Sequence, residues 1–188
     1  MGWSEEKEKE FFHQHEILEK NSKKIKKADI DQVFIIFPYN QKNLWIPDNN
    51  FWLELGKIMG NSSLLICSPN ALVKAKPGLS ENEYIVTINE MVLYYWLEIQ
   101  EYLKMNLNIQ KITYICTDIN LERIRRDFAI VFQCDYKVNE TQTTIIPGYE
   151  VREKIRVVPS SFWKKVYKIR ELIVFNLPIR LYEFLGRR

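Results

Sequence analysis

Asp31-Gln32-Val33-Phe34-Ile35-Ile36-Phe37 carries the first strong pattern in the chain. From Val33 to Phe37 every residue is aliphatic or aromatic, and Pro38 follows. A strand with one wet face alternates apolar and polar residues. An unbroken apolar run of this length belongs to a strand covered on both faces. Pro38 carries no N–H for a ladder and ends it. Two more runs have the same character: Ser63–Cys67 (SLLIC), closed by Ser68-Pro69-Asn70, and Ile112–Cys116 (ITYIC), closed by Thr117-Asp118.

Helical patterns separate these runs. One extends from about Asn50 to Gly60, with Asp48 or Asn49 as its cap and Gly60 as its stop. A longer one opens at Thr87 or Asn89 and runs to about Met105, with Met91, Tyr94, Tyr95, Leu97 and Ile99 as its apolar positions. Pro77-Gly78 marks a turn ahead of it. A helix over 119–128 follows the third strand, capped by Thr117 or Asp118. Ala129–Phe132 and Thr143–Ile146 read as further short strands. Ser160-Ser161 leads into a helix over 162–175, which Pro178 separates from a last turn near 180–185. Strands alternating with helices call for crossover connections, hence an α/β fold with a mostly parallel sheet.

Upstream, residues 4–27 form a polar helix with Ser4 as N-cap, acids in the first turn and lysines in the last. Its apolar stripe is broken, so residues 1–28 are read as a charged helical arm and residues 29–188 as one α/β domain. The chain has 188 residues, 46% of them hydrophobic, enough for a real core. Aromatic residues reach 13%, read first as core material.

Charge and cysteine usage narrow the function classes. The net charge is +3, with 27 basic residues diluted by 24 acidic ones, so no nucleic-acid footprint is indicated. Cys67, Cys116 and Cys134 are odd in number and form no CxxC pair, which disfavours a zinc site, a redox motif and a disulfide framework. The only histidines, His13 and His15, lie in the N-terminal helix, so no metal site is expected. Residues 1–12 are charged where a signal peptide has an apolar core, and no transmembrane segment is found. These features together predict a soluble, cytoplasmic protein. The glycine-rich phosphate loops, GxSxG and HExxH are absent, so no cofactor is assigned.

In an open parallel sheet, ligands bind beyond the carboxyl ends of the strands. That rule selects the loops holding Asn40, Ser68 and Asn70, and Thr117, Asp118 and Asn120. Thr87 and Asn89 can join the same cleft, and Arg123, one turn into a helix, can meet a phosphate or carboxylate. The expected ligand is small and polar or anionic. Glu54, one turn into a helix after a strand, is the candidate for nucleophilic or acid–base chemistry. The stretch Lys168–Arg188 is apolar with basic punctuation. It reads first as a helix closing the domain on the sheet, and otherwise as one lying on a membrane surface.

The run Ile115-Cys116-Thr117-Asp118-Ile119-Asn120-Leu121-Glu122-Arg123-Ile124 resembles the motif Thr-Ser-x-x-His-x-x-Arg-Ala of the ElyC/SanA/YdcF family. Thr117 takes the Ser place, Arg123 the Arg place, and Asn120 stands where the family has His. Thr87-Ile88-Asn89-Glu90 resembles the family's Thr-x-Glu-Asn with the last two residues reversed. Ser68-Pro69-Asn70 falls where the family has Ser-Gly-Gly, and Pro38-Tyr39 where it has a Gly pair. The resemblance spans about residues 29–188. It implies a Rossmann-like three-layer sandwich with a polar cleft at the strand ends, in a divergent member, a binding domain or weak enzyme linked to cell-envelope processes. A second likeness competes. Asp48-Asn49-Asn50-Phe51-Trp52-Leu53-Glu54-Leu55-Gly56 resembles the segment ending in Glu-Leu-Gly of nucleoside deoxyribosyltransferases and TIR-like NAD hydrolases, which makes Glu54 the residue at the anomeric carbon. A non-catalytic interaction module is the third reading.

Overall fold

The computed structural model describes residues 4–37, 49–68, 83–89, 91–134, 143–146, 148–158, 162–178 and 180–181. The apolar run that opened the reading becomes β1 (Gln32–Ile36), a central strand paired in parallel on both sides. One neighbour is β2 (Ser63–Cys67), in register from Gln32 against Ser63 to Ile36 against Cys67. The other is β4 (Lys111–Thr117), from Gln32 against Lys111 to Ile36 against Ile115. β3 (Tyr84–Val86) extends the sheet beyond β2, and β6 (Tyr149–Arg156) extends it beyond β4. The order is β3-β2-β1-β4-β6-β5, parallel except for the edge strand β5 (Thr143–Ile146), which is antiparallel to β6. Gly148 sits in the turn between β5 and β6 at φ 93°, a conformation that favours glycine.

Both faces of the central strands are covered, which is why their sequences do not alternate. Val33, Ile35 and Phe37 join Ile112, Tyr114 and Cys116 in the larger core. That core lies under α1 (Glu5–Ile25), α3 (Val92–Met105) and α4 (Leu121–Phe132). Phe34, Ile36, Leu65 and Ile115 face the other way, against Phe51, Trp52 and Leu55 of α2 (Asn49–Ile58). The result is the expected three-layer α/β sandwich. α5 (Phe162–Asn176) follows β6 and packs beside α4.

Several elements differ from the sequence reading. Ala129–Phe132 is the last turn of α4, not a strand. Ile124, Phe128 and Val131 lie on one helical face and are buried, and Phe132 stacks on Phe128 with ring centroids 4.7 Å apart. The helix stops at Gln133, whose φ of 51° is left-handed. α3 begins at Val92 after Met91, so neither Thr87 nor Asn89 caps it. Thr117 and Asp118 likewise do not cap α4, whose N-cap is Asn120. Strands β3 and β6 are additional to the strands read from sequence.

The N-terminal helix has its expected cap, with Ser4 Oγ accepting the Lys7 N–H at 3.5 Å. Its last turns are anchored to the domain: Ile25 is fully buried, and Asn106 Nδ2 donates to the carbonyls of Ile25 and Lys27 at 2.8 and 2.5 Å. No helix among the described residues is long and apolar enough to cross a membrane.

Candidate functional site

The residues expected to meet at the strand ends divide into two internal locks. In the first, the fully buried Thr117 donates its hydroxyl and its N–H to Asn120 Oδ1, at 2.8 and 3.1 Å. Asp118 Oδ1 accepts the Val158 N–H at 3.0 Å, and its Oδ2 lies 2.7 Å from Lys164 Nζ on α5. Arg123 Nε lies 2.7 Å from Glu171 Oε2, also on α5. Burial raises the Glu171 carboxyl above its ordinary range, and Arg123 opposes part of that shift. Thr117 and Asn120 thus close on each other at the end of β4, while Asp118 and Arg123 tie β4 and α4 to α5.

The second lock joins the end of β3 to α3 and α1. Thr87 Oγ1 donates to the Asn89 carbonyl at 3.2 Å, and Asn89 Nδ2 donates to Glu98 Oε2 at 2.9 Å. Glu98 also accepts the Ile88 N–H at 3.2 and 3.3 Å and the Tyr102 hydroxyl at 2.6 Å. The Tyr102 oxygen in turn accepts Asn21 Nδ2 at 2.9 Å. Burial pushes the Glu98 carboxyl above its ordinary range, and these hydrogen bonds oppose the shift. Ser68 is buried at the end of β2. Asn40 and Asn70, with Pro38, Tyr39, Asp48 and Pro69, lie outside the described residues.

On the α3 side, rings fill the end of β1. Phe37 lies 4.7 Å from Tyr95 and 4.8 Å from Trp96, centroid to centroid, and the Tyr95 hydroxyl donates to the Ile36 carbonyl at 3.0 Å. The thiols on this sheet are shielded too. Burial pushes Cys67 up to about 12 and raises Cys116 as well, so neither forms a thiolate at neutral pH. The arginines of α4 are engaged: Arg125 donates to Glu153 twice, at 3.1 and 2.8 Å, and the Tyr114 hydroxyl donates to the same carboxylate. Among the described residues no group of three or more His, Cys, Asp or Glu side chains is placed to hold a metal ion.

Among the described residues, a groove opens on the α2 side. α2 covers β1 and β2, and where it stops short of β6 a groove of about 270 Å³ remains. Ile115, Lys154, Ile155 and Arg156 line it from the sheet, and Phe51, Glu54, Leu55 and Ile58 from α2. The register sets Lys154 beside Ile115 and Arg156 beside Thr117, so the two cations stand at the C-terminal half of β6, one strand beyond the β1/β4 boundary where strand order reverses. The Arg156 guanidinium lies 4.6 Å from the Phe51 ring centroid, and its Nη2 is 3.7 Å from Glu54 Oε2. Glu54, the residue singled out for glycosidic chemistry, is two-thirds exposed on the rim.

Lys154, Arg156 and Glu98 were not among the residues singled out from sequence. Tyr149–Arg156 (YEVREKIR) alternates imperfectly between apolar and charged residues, a weak strand signal that was there to be read. Glu98 carries no signal, since a glutamate in mid-helix is ordinarily solvated.

Comparison with protein-family models, with curated proteins and with solved structures finds no match to this chain.

Proposed function

We infer that this chain binds a small anionic ligand with an apolar body in the groove between α2 and β6. One observation carries the reading: two cations, Lys154 and Arg156, stand at the strand ends over an apolar floor of Phe51, Leu55, Ile58 and Ile115. The volume, about 270 Å³, lies just below the range for small-molecule sites, roughly 300–1,000 Å³, which suits a small ligand. Arg156 is already near Glu54, so an incoming phosphate or carboxylate would compete with that side chain. This keeps the ligand class expected from sequence and moves the site from the polar loops to β6. The resemblance to the ElyC/SanA/YdcF family supplies the rest of the proposal: a divergent, non-catalytic member acting in the cytoplasm on an envelope-linked process.

Titration of the isotope-labelled chain with phenyl phosphate tests the reading. Backbone signals of Phe51–Ile58 and Lys154–Arg156 should shift, and Lys154→Ala with Arg156→Ala should abolish the shifts. Absence of shifts in both segments of the wild type rejects the site.

Glu54 on the rim of the same groove favours one other reading, an N-glycosidic enzyme in which its carboxylate meets the anomeric carbon. Incubation with nucleosides and with NAD separates the two. Base release by wild type and its loss in Glu54→Gln supports the enzyme, and no release from either protein removes it.

A further inference from the structure

Among the described residues, α5 carries an apolar face that stays exposed. Ile169 is 60% exposed, Leu172 63% and Ile173 58%. With about 100° between successive helical residues, these three and Val166 fall within roughly 60° of Ile169, on a side they share with Lys165 and Asn176. The opposite side is the packed one. It holds the buried Glu171 and the partly buried Tyr167 and Val174, which meet the cores. By that side the helix packs beside α4.

Charge separates the two sides as well. Lys164 is held by Asp118, and Glu171, the one acid of the helix, is buried against Arg123. The exposed charges of α5 are Lys165, Lys168 and Arg170, all cations. Lys168 and Arg170 flank Ile169, roughly 100° to either side of it. Lysine and arginine stems lie along apolar surface while their heads reach water or phosphate. An apolar stripe bordered on both flanks by cations is the pattern of a helix lying in a membrane interface.

We propose that α5 docks on an anionic lipid bilayer, with Val166, Ile169, Leu172 and Ile173 in the acyl boundary and Lys165, Lys168 and Arg170 on lipid phosphates. The helix lies on the bilayer and does not cross it. At ~1.5 Å per residue its 15 residues fall short of a hydrocarbon core of roughly 30 Å. A second copy fits the same stripe less well, since a two-fold interface brings a patch against itself and so crowds these three cations together. The proposal is independent of the ligand groove, which lies on the opposite face of the sheet.

The test is co-sedimentation of the full chain with phosphatidylcholine vesicles, with and without phosphatidylserine. Wild type should pellet with the anionic vesicles, weakly with the neutral ones, and should be released by high salt. Replacing Lys165, Lys168 and Arg170 by Gln should weaken anionic-vesicle binding by on the order of a hundredfold, about fivefold per cation. Ile169→Gln with Ile173→Gln should abolish it on either vesicle. All five positions are exposed, and circular dichroism confirms that the variants fold. Absence of wild-type binding, binding unchanged in the variants, or equal binding to neutral vesicles overturns the proposal. So does a wild-type dimer in light scattering that the Ile169→Gln, Ile173→Gln protein loses, because that result assigns the stripe to a second copy.

Discussion

Asp118 Oδ2 lies 2.7 Å from Lys164 Nζ, while the other oxygen of the same carboxylate accepts the Val158 N–H. Lys164 closes the triangle by donating to the Val158 carbonyl at 2.7 Å. One side chain thus fastens the end of β4 to the chain leaving β6 and to the first turn of α5. Asp118→Ala removes both interactions and should cost about 1.5–3 kcal/mol, the range for a hydrogen bond to a charged group. Asp118→Asn keeps an acceptor for Val158 and should cost less, about 1 kcal/mol. Urea unfolding of the two variants measures the difference. Equal losses would assign the whole effect to the ion pair.

Glu98 makes stability depend on pH. Burial raises its carboxyl above the ordinary value of 4.5, so the folded chain holds that proton more tightly than the unfolded one. Between the ordinary and the raised value the folded state has more protons bound, and stability falls as pH rises through that window. Its contribution is complete below 4.5 and is lost above the folded value. Glu98→Gln resembles the protonated form and should flatten this dependence. Unfolding measured from about pH 4 to about pH 7 should show the variant gaining on wild type as pH rises. Glu171, shifted in the same direction, is present in both proteins and cancels. A constant difference across the range would contradict the assignment.

Trp96 is the hub of the larger core. Its ring lies 4.8 Å from Phe37, 5.5 Å from Tyr114, 5.0 Å from Phe128 and 6.0 Å from Phe132, and its N–H donates to the Ile124 carbonyl at 3.1 Å. Trp96→Ala should cost roughly 3–5 kcal/mol. Trp96→Phe retains ring contacts and should cost less. Chemical denaturation of the pair reads the gap between them.

Arg156→Ala separates binding from stability. The side chain gives up a cation–π contact with Phe51 worth about 0.5–1 kcal/mol at an exposed site, and an ion pair to Glu54 worth little in water. The unfolding midpoint should therefore move only slightly, while phenyl phosphate binding is lost. A large fall in stability would recast Arg156 as a structural residue.

How far the fold was legible depended on burial. β1, β2 and β4 were readable because both their faces are covered and their sequences are continuously apolar. β6 was not, because its outer half borders an open groove and carries Glu150, Arg152, Lys154 and Arg156 among its apolar residues. The last turn of α4 misled for the converse reason: Ala129-Ile130-Val131-Phe132 is as apolar as a buried strand, and only the packing of Phe128, Val131 and Phe132 around α3 makes it helical.

The sequence by itself determined the architecture, since a chain with three buried apolar runs separated by helical patterns satisfies its backbone and its core together only in a parallel sheet with helices on both faces. Tertiary structure alone decided what the polar loops do. Thr117, Asp118, Asn120 and Arg123 have the same composition whether they face a ligand or their own chain. The partners of Asp118 and Arg123 are Val158, Lys164 and Glu171, far along the sequence, and they come within reach only because β6 pairs beside β4. The same pairing sets Lys154 beside Ile115 and Arg156 beside Thr117, so the strand hardest to read from sequence also supplies the two cations that line the groove.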